Sequence, residues 1–212
     1  MHAFFSFCST YHSERFEEES NIYHPTKQKW FSASTCLWTE STSIQNKTAI
    51  ATAFPSLQGL FVDILGVKKP TVHMYIRELK ILASKSTPKI DDIKALIMEI
   101  NMHKPKQKDL EILKESQFVP VKPADKPVVL MHPGDSFAIV DREEYAEIFC
   151  NIAPTFDFDM RNVGVLKPFI EAFGWNKKYL SNCVHEKSTF RSATPSSSLT
   201  ADFHARALAI FR

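Results

Sequence analysis

Proline punctuates this chain more heavily than glycine does: twelve prolines stand against five glycines in 212 residues. A proline donates no backbone hydrogen bond and fixes its own φ, so it ends or kinks a helix and is kept out of sheet interiors. Prolines at 55, 70, 88, 105, 120, 127, 133 and 168 therefore limit the length of the regular segments between them. The chain is predicted to fold as short elements joined by rigid turns, few of which need a positive φ.

Between these prolines the apolar residues recur with helical spacing. Leu57, Leu60, Phe61, Ile64 and Leu65 fall at i, i+3, i+4, i+7 and i+8, one face of a helix opened by Pro55 and closed by Gly66. Pro70 is placed to open a second helix, with Met74, Ile76, Leu79 and Leu82 as its face and Tyr75 beside it. A third follows Thr87 and Pro88. Ile90, Ile93, Ile97 and Ile100 form its stripe, Asp91 and Asp92 complement the dipole of its first turn, and Pro105 stops it. A short helix is predicted over 109–116.

Ahead of the helices, Ile22 and Tyr23 are separated from Trp30 and Phe31 by HPTKQK, a hairpin-like arrangement. Trp30 and Trp38 are expected to staple this element to the body. The Ser/Thr-rich stretch 41–52 reads as a linker. After the helices, FVPV (118–121), PVVLM (127–131) and FAIV (137–140) read as three strands. Pro120 marks the first as an edge or an end. Strands this close in sequence form an antiparallel meander, because a parallel crossover needs a dozen residues or more.

Asp141 is predicted to cap a helix from Arg142, with Glu144 completing a capping box and Tyr145, Ile148 and Phe149 as its stripe. TFDFD (155–159) alternates in the manner of a half-buried strand, or lends Asp159 as the cap of a helix to Gly174 that Pro168 kinks or splits. Trp175, Tyr179, Leu180 and Val184 continue into another helix. The fold class is therefore α+β: several short helices packed with a small, mainly antiparallel sheet. Five regions are expected: an irregular segment 1–20, an aromatic hairpin and linker 21–52, an α+β body 53–186, a disordered linker 187–200 and a truncated helix 201–212.

Composition narrows the function. A net charge of +2 is too small to imply a nucleic-acid or anionic-membrane partner. No apolar run reaches the roughly 18 residues of a membrane span, so cytoplasmic or nuclear residence is expected. Cys8, Cys36, Cys150 and Cys183 form no CxxC and read as reduced structural thiols, Cys150 and Cys183 packing as small hydrophobes in helices. Neither HExxH, GxSxG, GxGxxG nor GxxxxGK[ST] occurs, and no cofactor, metal or catalytic residue is assigned. The acids Asp141, Glu143, Asp157 and Asp159 are the candidates for an enzyme of another type. Lys104, Lys106, Lys108 and Lys114 are the candidates for a weak nucleic-acid contact.

Several blocks carry a resemblance. KWFSASTCLW (29–38), LFVDILGVKKP (60–70), YIRELK (75–80), FAIVDREEY (137–145) and LKPFIEAFGW with YLS three residues on (166–181) resemble a segment of large fungal proteins. Those proteins are similar to sacsin and the plant NO VEIN proteins, which carry a histidine-kinase-like (GHKL) ATPase domain followed by long α+β regions. The resemblance is to the downstream region, so it implies no ATP site here. It implies a non-catalytic, chaperone-related or scaffolding segment whose partner is another protein or a neighbouring domain, in a truncated member or fragment.

Overall fold

The computed structural model describes residues 18–149 and 152–185, together with 187, 198, 200, 201 and 203. The readings of 1–17, 188–197 and 204–212, and those of Cys8 and Cys150, lie outside the described residues. What is described is an α+β fold with mainly antiparallel sheets.

The two strongest helical repeats of the sequence form its centre. Helix α1 (Val72–Ala83) buries Tyr75, Ile76, Leu79 and Leu82, and helix α2 (Ile90–Met102) buries Ile93, Leu96, Ile97 and Ile100. Both stripes belong to one core cluster. Fully burying eight side chains of this size is worth roughly 1.5–3 kcal/mol each before entropy is charged against it. Helix α1 begins two residues after Pro70. Thr71 takes the N-cap position in extended conformation (φ −121°, ψ 154°), although its hydroxyl makes no bond to the first turn. Helix α3 (Gln107–Leu110) passes into a 3-10 turn (Glu111–Leu113), starting two residues earlier than predicted, and leaves Ile112 exposed.

The second core is small and lies ahead of α1. Strands β1 (Ile22–His24) and β2 (Lys29–Phe31) make the antiparallel hairpin, and β3 (Cys36–Leu37) pairs in parallel with β4 (Thr48–Ala49). Ile22, Ala33, Cys36, Ile50, Phe61, Leu65 and Val67 are buried together there. The stretch read as a linker is thus structured, with Ile50 fully buried and Ile44 reaching the main core. Of the two tryptophans, Trp38 acts as the staple, stacked on Phe61 with 5.9 Å between centroids and donating Nε1–H to Gln58. Trp30 does not: it is 61% exposed and lies against Tyr23 on the outer face of the hairpin.

The segment after Pro55 becomes a π-helix (Gly59–Ile64) ended by Gly66 at φ 71°. A core of this size cannot cover a whole helical face. Phe61 and Leu65 are buried, while Leu57, Leu60 and Ile64 remain 40–52% exposed. With so few glycines, left-handed turns fall on other residues as well: Gln28, Asn46, Lys104 and Asp125 all have positive φ.

The three-stranded sheet differs from the predicted meander. Its order is β6 (Val129–Met131), β5 (Val119–Lys122), β7 (Thr155–Phe156), with β5 in the middle and both pairings antiparallel. Pro120 therefore stands in the central strand. Its carbonyl accepts from the Asp157 N–H at 2.9 Å, on the β7 side. The nitrogen of a strand residue points the same way as its carbonyl, so the missing donor falls where β7 has already stopped.

The third predicted strand, 137–140, is instead a connector bonded on both sides. Ala138 bridges to Thr155 and Ile139 to Tyr179, both in parallel. The N–H of Ile139 donates to the Lys178 carbonyl at 2.8 Å, and its own carbonyl accepts from Leu180 at 2.9 Å. Lys178 is held over the Phe137 ring, 4.0 Å from its centroid, and donates to the Asp135 carbonyl. Desolvation lowers its pKa, partly offset by the Asp135 charge.

Pro168 splits the last long helix as expected, into α5 (Met160–Val165) and α6 (Lys167–Ala172) after the short α4 (Glu143–Phe149). In an unbroken helix the Phe169 N–H would bond to the Val165 carbonyl. Here the Asn101 side chain from α2 stands between them: its Nδ2 donates to Val165 at 2.9 Å, and its Oδ1 accepts from Phe169 at 3.1 Å. Asn101 is 6% exposed, one of the few buried polar residues. The chain then turns at Gly174 (φ 71°), makes a 3-10 turn (Trp175–Lys178) and enters α7 (Leu180–Cys183). Trp175 sits among Phe137, Phe156, Phe169 and Phe173 at centroid distances of 4.7–6.0 Å.

Candidate functional site

Between the small core and α1 lies a cleft of about 780 Å³. One wall comes from residues 33–37 and from Lys47, just ahead of β4. Its floor is apolar, formed by Leu37, Val67, Met74 and Val62 of the π-helix. The extended run into α1 adds Lys68, Lys69 and Thr71, and the helix itself adds Arg77.

Local structure sets these cations in place. Lys68 pairs with Leu37 across a parallel bridge, and its carbonyl accepts from the Trp38 N–H at 2.9 Å. Arg77 comes three residues after Met74 on α1, so both project to the cleft while Tyr75, Ile76 and Leu79 turn to the core. The turn at Asn46 (φ 60°) brings Lys47 across, where its Nζ donates to the Ser34 carbonyl at 2.5 Å.

No aspartate or glutamate lines the cleft. None of the ion pairs found among the described residues uses Lys68, Lys69 or Arg77. The carboxylate next in sequence to Arg77, Glu78, accepts from the Gln45 N–H at 3.2 Å and lines an adjoining cleft that shares Lys47, Met74 and Arg77. Four cations around an apolar floor concentrate positive potential, because low-dielectric walls focus the field into the opening.

Cys36 is part of the same wall but is 1% exposed. Burial pushes its thiol up to about 11, against the smaller opposing effects of the Thr35 hydroxyl and of Lys27 and Lys47. It therefore stays a neutral, packed thiol at ordinary pH. Cys183 is exposed, contrary to the buried role predicted for it, with Sγ 3.0 Å from the Lys177 carbonyl. Iodoacetamide at pH 8 should label Cys183 well before Cys36, as followed by peptide mapping. Equal rates would show that the cleft wall opens far more readily than its burial implies.

Of the residues singled out in the sequence, Asp141 and Glu143 come together, bordering a cleft of about 590 Å³ with Arg142, Glu144, Tyr145 and Met160, and Asp157 and Asp159 are not among its lining. Asp141 does not cap α4. Its carboxylate accepts from the Ser181 N–H at 3.1 Å and from the Ser181 hydroxyl, tying the start of α4 to α7. The carbonyl of Arg142 accepts from Tyr145 and Ala146 instead. Tyr145 is buried in the stripe of α4 but Ile148 is 57% exposed.

Asp157 pairs with Lys94 at 2.5 Å, and Asp159 caps α5 through the Asn162 N–H at 2.8 Å. Lys104, Lys106, Lys108 and Lys114 are interleaved with acids. Lys114 pairs with Glu111 at 2.7 Å, and Asp109 takes the Lys106 N–H at 2.9 Å. Among the described residues no group of His, Cys, Asp and Glu could hold a metal ion, and no helix is long and apolar enough to cross a membrane.

The cations of the cleft are not among the residues that the sequence singles out. The Lys68, Lys69 doublet followed by Arg77 was the available signal. Lys47 could be joined to it only through the β3–β4 pairing, which no spacing rule reveals.

No curated protein and no solved structure matches the chain. A protein family does match, over residues 73–184, which takes in both central helices, the three-stranded sheet and the split helix. Arg77 and Met74 of the cleft fall inside that span, and Lys47, Lys68 and Lys69 fall before it. With more than half its length covered, the chain belongs to the family described as Domain of unknown function (DUF8348).

Proposed function

We propose that this chain is a non-catalytic interaction segment of the kind that follows the ATPase domain in sacsin- and NO VEIN-like proteins, working by contact with another protein or a neighbouring domain. The observation that carries this reading is the row of exposed apolar side chains Leu57, Leu60 and Ile64, which the small second core leaves uncovered. Apolar residues grouped at the surface are a feature of surfaces that other proteins cover. Three of the four candidate acids also have structural partners: Asp141 with Ser181, Asp157 with Lys94, and Asp159 with the start of α5.

The double substitution Leu60→Gln with Ile64→Gln should lower self-association of the purified chain, measured by light scattering after size exclusion. The melting midpoint should move little, because neither side chain is buried. An unchanged association state, or a collapse of the melt, would show that the row belongs to the fold and not to an interface. Nucleotide or ester hydrolysis at an enzyme-like rate, abolished by Asp141→Asn or Glu143→Gln, would overturn the non-catalytic reading outright.

A further inference from the structure

The cleft formed by Lys47, Lys68, Lys69 and Arg77 has a chemistry specific enough to name what enters it. We infer that it binds an acidic protein segment, with Asp or Glu side chains on the cationic rim and an apolar side chain on the floor of Leu37, Val62, Val67 and Met74. This rests on the contact reading above and specifies the partner's chemistry.

Three observations favour that occupant. The cations come from three separate parts of the chain, the turn before β4, the run into α1 and α1 itself, and the fold brings them to one cleft. A guanidinium and three ammonium groups outnumber the one carboxylate that adjoins them, Glu78, and suit carboxylate oxygens, Arg77 by its forked donors and the lysines as mobile point charges. The floor is apolar, so a bare inorganic anion would leave it uncovered, whereas a peptide with a leucine between acids covers both.

Nucleic acid fits less well. Single strands are held on aromatic platforms, and no aromatic side chain lines this cleft. The chain as a whole carries only +2. An extended lipid surface would meet the rim but could not reach into a concave site.

The test uses the full chain and four fluorescent probes: a twelve-residue peptide of Asp, Glu and Leu, the same peptide with Asn and Gln for the acids, a thymidine oligonucleotide of equal charge, and phosphatidylserine vesicles. The acidic peptide should bind, and should weaken steadily with salt as the Debye length falls from about 10 Å at 0.1 M to about 3 Å at 1 M. Lys68→Glu with Arg77→Glu should weaken it by about tenfold or more, since both attractions become repulsions. Lys69→Glu alone gives an independent, smaller loss. Lys104→Glu with Lys106→Glu changes net charge equally and should alter affinity by less than about twofold. All five positions are exposed, so thermal melts should stay near the parent.

Equal binding of the neutral peptide, equal losses in the control pair, or tighter binding of the oligonucleotide or vesicles would each overturn the inference. So would failure of the acidic peptide to bind at low salt. If that failure is accompanied by the expected effect of Leu60→Gln and Ile64→Gln, only the named partner chemistry falls. If both fail, the contact reading falls with it.

Discussion

Replacing Asn101 with leucine should destabilise the protein by about 3 kcal/mol or more. The Asn101 amide completes a helix that Pro168 has split, supplying the donor for Val165 and the acceptor for Phe169. Leucine keeps the volume but leaves two buried backbone groups without partners, and each such group costs about 1–3 kcal/mol. Alanine at the same place should also be severe, because it opens space beside the fully buried Phe169 and Ile170. Denaturant melts with unchanged m-values would measure this, and a loss below about 1 kcal/mol would mean that the two groups find each other or water. A double-mutant cycle makes the claim sharper. Pro168→Ala allows α5 and α6 to join and the Phe169 N–H to reach Val165 directly, so the cost of Asn101→Leu should shrink in that background. Additive costs would count against the splint.

Trp175→Ala should have the other large effect, about 3–5 kcal/mol, in the range seen when a buried large aromatic is truncated. Trp175 is 4% exposed and closes a cluster of four phenylalanine rings, stacked on Phe173 (interplanar angle 21°) and edge-on to Phe137 (90°). Those rings come from the connector at 137–140, from β7 and from α6 and the residue after it, so removing the indole loosens three parts of the chain at once. Trp175→Phe should lose distinctly less, since a ring remains to contact Phe173. A parent-like melt for Trp175→Ala would show that the surrounding rings close the gap without cost.

How much of this was readable beforehand varied with how local the determining physics was. The stripes of α1 and α2 were plain because a helix declares its buried face within its own few turns. The Asp159 cap, the Pro168 break and the left-handed Gly66 and Gly174 were also local, and the structure has them.

Sheet order was not local. FAIV has the composition of a strand, yet Thr155 and Phe156 take the place beside β5, and FAIV lies outside them, bonded to β7 and to the α7 end. Pro120 misled for a related reason: a central strand tolerates it only because its neighbour ends at that residue, which is a property of β7. The exposed Leu57, Leu60 and Ile64 share the period of a buried stripe, and only the small size of the second core decides that they stay outside. Asn101 looked like one polar residue near a helix end, since its partners lie 64 and 68 residues away.

The cleft joins two parts of the chain with different standing. Residues 73–184 carry nearly the whole main core by themselves, taking only Leu37 and Ile44 as buried residues from the region before them. They contribute Met74 and Arg77 to the cleft, while everything opposite comes from the preceding lobe. Binding preference and folding stability are therefore encoded in largely separate stretches. A relative that kept 73–184 and carried a different lobe in front could acquire a new ligand without renegotiating its core, so selectivity here is open to recombination as well as to point mutation.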